Sequence, residues 1–169
     1  SESMVKQLLD SGYRMTEAPA EADLILVNTC GFLESAVQEA IGAILDAVRY
    51  KESGACSQLV VAGCMVQRYG KKLLAELPEV DLFLGTSHYH ALGTALQALS
   101  AGNAGKLWIG RPAHIADGAG TRVRSTAAHT AYLQIAEGCG NTCSFCIIPH
   151  LRGPLSVMQA ATTLVEANR

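Results

Sequence analysis

The sequence predicts an α/β fold in which a doubly wound, mainly parallel sheet occupies roughly the first hundred of 169 residues. Three observations lead there. Short uninterrupted apolar runs, Leu24-Ile-Leu-Val27 and Leu59-Val-Val-Ala62, have the character of strands buried on both faces, and Leu82-Phe-Leu84 reads as a third, short strand. Between them lie longer segments whose apolar residues recur at helical spacing. Strands alternating with helices in this way close a parallel sheet through crossover helices.

Taken in order, residues 1–10 read as a helix, with Met4, Val5, Leu8 and Leu9 as its apolar stripe and Gly12 as its stop. Residues 13–15 suit a short strand. The first apolar run, 24–27, is followed by a helix over 34–50 whose buried face is Val37, Ile41, Ile44, Leu45 and Val48. The second run leads to a helix over 66–77, and the third to a helix over 88–100. From Ala101 the periodicity dissolves. Gly102, Gly105, Gly110, Gly118 and Gly120, with Pro112, read as an interdomain connection that Trp108 packs down against a domain. Arg111, Arg122 and Arg124 form a mild basic cluster there, which a solvated linker explains better than a phosphate site. Residues 131–135 are then expected as a strand and 156–168 as a helix. Strand, loop and helix in this order are the first unit of a β/α barrel. The expected organisation is therefore 1–101, a linker over 102–128, and the start of a second domain over 129–169.

Composition sets bounds on function. With 49% hydrophobic and 17% charged residues, the chain can bury a core and is not a disordered segment. A formal net charge of −2 gives no global basic field for nucleic acid or membrane surfaces. No stretch approaches the length of a membrane span, and no charged-then-apolar leader opens the chain. Six unevenly spaced cysteines suit metal or redox duty in a reducing cytoplasm better than a disulfide scaffold.

The chemistry concentrates in the stretch Glu137 to Gly153, where Cys139, Cys143 and Cys146 have the spacing C-x3-C-x2-C. Three thiolates on one short loop can converge on a single centre, and thiolate is a soft ligand suited to iron–sulfur clusters or zinc. Gly138 and Gly140 let the backbone turn tightly around such a centre. Four irons held by three thiolates leave one iron open to a substrate or cofactor. The competing assignment adds His150 as a fourth ligand and makes a structural Cys3His zinc site. A second constellation is independent of the first. Cys30 and Cys64 each follow a predicted strand immediately, which puts both at the carboxyl edge of the sheet, where functional groups gather. Two small buried hydrophobes would explain them as well. Cys56 precedes a strand and is assigned no role.

The spacing, with Phe145 just before the third cysteine, resembles the cluster loop of the radical S-adenosylmethionine enzymes. Val27-Asn-Thr-Cys-Gly-Phe32, Val60-Val-Ala-Gly-Cys64 and the Cys-Ile-Ile-Pro following the loop look, in matching order, like the methylthiotransferases of that superfamily, most of all their RimO-like branch. That resemblance implies a [4Fe–4S] cluster on Cys139, Cys143 and Cys146 that binds and splits S-adenosylmethionine, with Phe145 near the adenine. It also implies an auxiliary [4Fe–4S] cluster with Cys30 and Cys64 as two of its three ligands. The implied reaction adds a methylthio group to the β-carbon of an aspartate in a small-subunit ribosomal protein, with an external electron donor as further partner. A transfer-RNA substrate, as in the MiaB-like branch, is the alternative. The family's first auxiliary cysteine follows an initial strand upstream, and where the family continues from Arg152-Gly153 to Ser-Arg-Pro this chain has Val157-Met-Gln159. By the resemblance the chain is expected to be a fragment, inactive by itself.

Two other function classes compete. One is a zinc-binding structural module that works by binding a partner, and the other a flavodoxin-like small-molecule binder. Neither accounts for two separate cysteine sets at the ends of strands, and neither strand turn carries a G-x-G-x-x-G dinucleotide fingerprint.

Overall fold

A computed structural model describes residues 2–103, 105–112, 123, 126, 127 and 129–167. Four parallel strands form one sheet in the order β1 (Leu24–Thr29), β2 (Gln58–Gly63), β3 (Leu82–Leu84) and β4 (Leu107–Trp108). The expected α/β class with a parallel sheet is thus observed. Side chains alternate across it. Ile25, Val27, Leu59, Val61 and Phe83 meet α2 (Glu34–Ser53) and α3 (Cys64–Glu76) on one face. Leu24, Leu26, Val60, Ala62, Leu82 and Leu84 meet α1 (Glu2–Asp10) and α4 (Leu92–Ser100) on the other.

β2 is central, and Leu59 to Ala62 are fully buried as a two-faced strand requires. β1 departs from that expectation. It lies at the edge of the sheet and is only half-buried along most of its length. On α2 the buried residues are Val37, Ala40, Ile44 and Ala47, with Ile41 and Val48 packed beside them. Leu45 was expected among them and is 49% exposed. It stands about 100° round the helix from Ile44, beyond the contact stripe, while two alanines allow the close approach to the sheet.

Several boundaries also differ. α3 starts at Cys64 because Gly63, at φ +124°, completes the turn out of β2 within one residue. The expected helix over 88–100 is a 3-10 segment, Thr86–Ala91, followed by α4. Residues 13–15 form no strand; Tyr13 packs under α1 and α4 and donates its hydroxyl to Gln58 Oε1 at 3.4 Å. The supposed connection contributes β4, which receives the Phe83 and Gly85 amides at Lys106 O and Trp108 O. Gly118, Gly120, Arg122, Arg124 and the boundary at Ala128 lie outside the described residues.

In the last third the expected strand over 131–135 is not formed. Among the described residues there, only β5 (Ala136–Glu137) meets a ladder partner, β6 (Ser156–Val157), and it pairs antiparallel. The expected final helix therefore begins later, as α6 (Ala160–Ala167). A short helix, α5 (Ile148–Arg152), lies between the two strands. Among the described residues no helix is long and apolar enough to cross a membrane.

Candidate functional site

The exits of β2 and β3 diverge. β2 passes into α3 on one face, whereas β3 passes through the 3-10 segment to α4 on the other. Such divergence opens a crevice at the carboxyl ends of neighbouring strands. β1 and β2 end level, with Thr29 opposite Gly63. Cys30 and Cys64 therefore leave the sheet side by side. Their backbones are pressed together: a Cβ on Gly31 would lie 2.7 Å from the Cys64 carbonyl and 2.6 Å from Met65 N. Arg68 Nη1 donates to Gly31 O at 2.8 Å and holds the turn down. Cys64 is buried and Cys30 exposed. Cys56 lies before β2, at the opposite edge, buried and donating its thiol to Gln58 O at 3.4 Å.

The second cysteine set occupies the loop between β5 and α5. Its stem is closed by the Cys139 amide donating to Gly153 O at 3.2 Å. At Gly138, φ +78°, a Cβ would come within 2.2 Å of Pro154 O, so only glycine lets the two ends of the loop run this close. Glu137 spans the same stem. Its carboxylate accepts from Arg152 Nη1 at 3.3 Å and from Gln134 Nε2 at 2.8 Å. Cys139 and Cys146 are half-buried, and Cys143 is exposed. Phe145 is 91% exposed, and His150 is exposed on α5.

The donor chemistry of this loop fits an iron–sulfur cluster. All three thiols are free, and they share one short, glycine-hinged turn. Among the described residues, no three His, Cys, Asp or Glu side chains are gathered in metal-holding geometry, His150 with the cysteines included. The loop thus assembles the donors without converging them.

α5 docks this loop onto the strand-end crevice. Leu151 is buried, and its carbonyl accepts the Thr86 hydroxyl. Gly153, at φ +85°, passes so near Pro112 that a Cβ would lie 2.3 Å from its carbonyl oxygen. Arg152 then stands between the two cysteine sets. Burial alone would lower the pKa of its guanidinium, but the charges of Cys64, Glu137 and Tyr89 near it raise it instead. Tyr89 shares the enclosure. Burial first, then the neighbouring Cys64, Glu137 and Cys30, push its hydroxyl above the usual tyrosine range, with Arg152 opposing. Sequence reasoning assigned no role to Arg152, Glu137, Tyr89 or Thr86. The first two carried a signal, since opposite charges bracket the cysteine loop; Tyr89 and Thr86 carried none.

Comparison with known proteins gives two findings. Residues 1–85 match a family described as uncharacterized protein family UPF0004. Over its whole length the chain is 57% identical to the protein named ribosomal protein uS12 methylthiotransferase RimO of Syntrophobacter fumaroxidans, covering 38% of that protein. Proteins of the same name are similar in Syntrophotalea carbinolica, 41% identical over the whole chain and 37% of the relative, and in Anaeromyxobacter sp., 49% identical over 90% of the chain and 32% of the relative. The chain thus spans between 32% and 38% of the length of these curated relatives.

Proposed function

Since the chain belongs to the UPF0004 family, we propose that it forms the sulfur-handling part of a methylthiotransferase that modifies an aspartate of ribosomal protein uS12. The observation that carries this reading is the meeting of two separate cysteine sets. The strand-end thiols Cys30 and Cys64 leave the sheet side by side at the edge onto which α5 docks the stem of the loop bearing Cys139, Cys143 and Cys146. A structural zinc module has no use for the first pair. The names of relatives 57% and 41% identical over the whole chain support the choice of a ribosomal protein over transfer RNA.

In this reading Cys139, Cys143 and Cys146 hold a [4Fe–4S] cluster with S-adenosylmethionine, Phe145 lies against the adenine, and Cys30 and Cys64 ligate an auxiliary [4Fe–4S] cluster. When bound, these groups supply the electron, the hydrogen-abstracting radical and the sulfur. The chain's own part is to hold the two sites in register and to shield the buried Cys64 side from water. Residues 1–101 would form the sheet domain, 102–128 the connection and 129–169 the beginning of the radical domain. The protein would work in the cytoplasm with an external electron donor.

The test is anaerobic reconstitution of the chain with iron and sulfide. Iron, sulfide and broad visible absorption are expected, and Ala at Cys139, Cys143 or Cys146 should remove most of that loading. His150→Ala should leave it intact. Stoichiometric zinc that is lost on changing His150 would overturn the assignment. In a protein carrying this chain together with the remainder found in its relatives, uS12 should gain the mass of a methylthio group. Modification of transfer RNA instead would overturn the substrate assignment.

A further inference from the structure

We propose that Gln67 is a positioning residue that ties the floor under the stem of the C-x3-C-x2-C loop to the start of α3. This deepens the functional reading above and rests on it for its purpose, since α3 opens with Cys64. Gln67 stands about one turn into α3, and its side-chain amide crosses to the exits of β3 and β4. Nε2 donates to Gly110 O at 2.7 Å, while Oε1 accepts the Ser87 amide at 3.3 Å and the Ser87 hydroxyl at 3.1 Å. Ser87 Oγ in turn accepts the Gly110 amide at 2.9 Å. Ser87 is buried, which makes each of these bonds costly to lose.

Only an amide serves here. Gly110 O is an acceptor and Ser87 N a donor, so the group between them must donate on one side and accept on the other. The two backbone partners also fix which way round the Gln67 amide lies. A glutamate of the same shape would set a carboxylate oxygen against Gly110 O, acceptor against acceptor. Gly85 leaves the amide its room: a Cβ there would lie 2.4 Å from Gln67 Oε1. The same bonds settle the tautomer of His88, whose Nδ1 lies 2.8 Å from Ser87 Oγ. The Ser87 hydroxyl has one proton and gives it to Gln67, so His88 Nδ1 carries its own and donates it to Oγ.

The stem lies across two residues that adjoin this node. Thr86, which precedes Ser87, donates its hydroxyl to Leu151 O. Pro112, two residues beyond Gly110, is buried and so near the stem that a Cβ on Gly153 would stand 2.3 Å from Pro112 O. Gln67 thus ties both supports to the helix that begins at Cys64. Loss of its amide should loosen Leu151 and Gly153 while the sheet stays intact.

Amide hydrogen exchange and histidine nitrogen shifts of the reduced chain, without metal, test this. Gln67→Glu should accelerate exchange at Gly110, Leu151 and Gly153 at least about fivefold, with Val61 in the sheet centre unchanged. Gly85→Ala displaces Oε1 without altering Gln67 and should do the same; it serves should Gln67→Glu fail to fold. The tautomer is read in alkaline buffer, where imidazole is neutral. Gln67→Met frees the Ser87 hydroxyl to donate to His88, so the ring should change from Nδ1–H to Nε2–H. Gln67→Glu, still an acceptor, should leave Nδ1–H in place. A residue that only supports the fold would not move the tautomer with this selectivity. Native exchange at Leu151 and Gly153 in Gln67→Glu, or equal acceleration at Val61, would overturn the proposal. So would an Nε2–H ring in the unaltered chain, a measurement that needs no variant. Because no iron enters these experiments, absence of a cluster would sink the functional reading while leaving this one to stand or fall separately.

Discussion

Replacing Gly63 by alanine should cost far more than an ordinary glycine substitution. Gly63 sits at φ +124° and ψ −171°, a region essentially reserved for glycine, and forcing another residue there costs about 1–3 kcal/mol. The added Cβ would also stand 2.2 Å from Thr29 O and 2.8 Å from Thr29 N and Oγ1. Thr29 cannot swing away, because it is the ladder partner of Gly63 and its hydroxyl donates to Ala62 O at 2.7 Å. Overpacking against backbone adds about 1–3 kcal/mol. Stiffening the unfolded chain offsets about 0.4–1 kcal/mol. The net loss is about 2–5 kcal/mol, a large part of the roughly 5–15 kcal/mol that holds a domain together. Two controls separate the contributions. Gly12, at φ +89° with nothing within 4 Å, should show strain alone on conversion to alanine, a loss of about 1 kcal/mol. Gly42, exposed within α2 and equally open, should gain about 0.5–1 kcal/mol. Urea titrations of the three variants give the order. A Gly63→Ala loss no greater than that of Gly12→Ala would refute the argument that Thr29 is immovable.

Three further outcomes are expected. Tyr89 titrates higher in the folded protein than unfolded, so the native state keeps its proton longer and stability falls as pH rises through about 10 toward the folded value; urea midpoints between pH 9 and 11.5 should show this decline, and Tyr89→Phe should flatten it. Asp81 Oδ2 accepts both Lys51 Nζ at 2.5 Å and the Leu59 amide at 2.8 Å, so Asp81→Ala leaves a buried donor unpaired and should cost about 1–3 kcal/mol in urea unfolding, whereas equal stability would show that another acceptor reaches Leu59 N. Thiol labelling of the reduced, metal-free chain should modify Cys30 and Cys143 rapidly and Cys56 only on unfolding, and early modification of Cys56 would contradict its burial before β2.

What the sequence disclosed follows from how local each signal is. The apolar runs announced β1, β2 and β3, of which β2 and β3 are buried on both faces as a parallel sheet selects, and 82–84 was placed to the residue. β4 was missed, since two residues among glycines carry no period, and their pairing depends on the edge that β3 offers them. Residues 131–135 misled in the opposite direction. Their apolar content suits a strand, but pairing needs a neighbour, and Tyr132, Leu133 and Ile135 are exposed instead. In the candidate site, Cys30 and Cys64 could be placed at one edge because each follows a strand directly. That the Arg152–Glu137 stem comes down beside the start of α3 depends on how α5 docks against the 86–91 turn and α3, and no spacing in the sequence encodes that docking.

The placement of the strand-end thiols rests on residues that never touch them. Cys30 and Cys64 stand side by side because Thr29 pairs with Gly63, and that pairing belongs to a register running back to Leu24 and Gln58. Side chains repeat every two residues along a strand, so a slip of one position would turn Ile25 and Val27 away from α2 and α3. It would also set Cys30 against the wrong neighbour. The slip is opposed by the whole buried face, Ile25 and Val27 with Leu59, Val61 and Phe83 under Ile44 and Met65. At the carboxyl end, Gly31 and Gly63 add a steric lock, because each lies against backbone with no space for a side chain. Apolar alternation therefore fixes the register, the register fixes which residues share the edge, and the two glycines fix how closely they approach. The thiols themselves contribute nothing to this register, which is set by the strands that precede them.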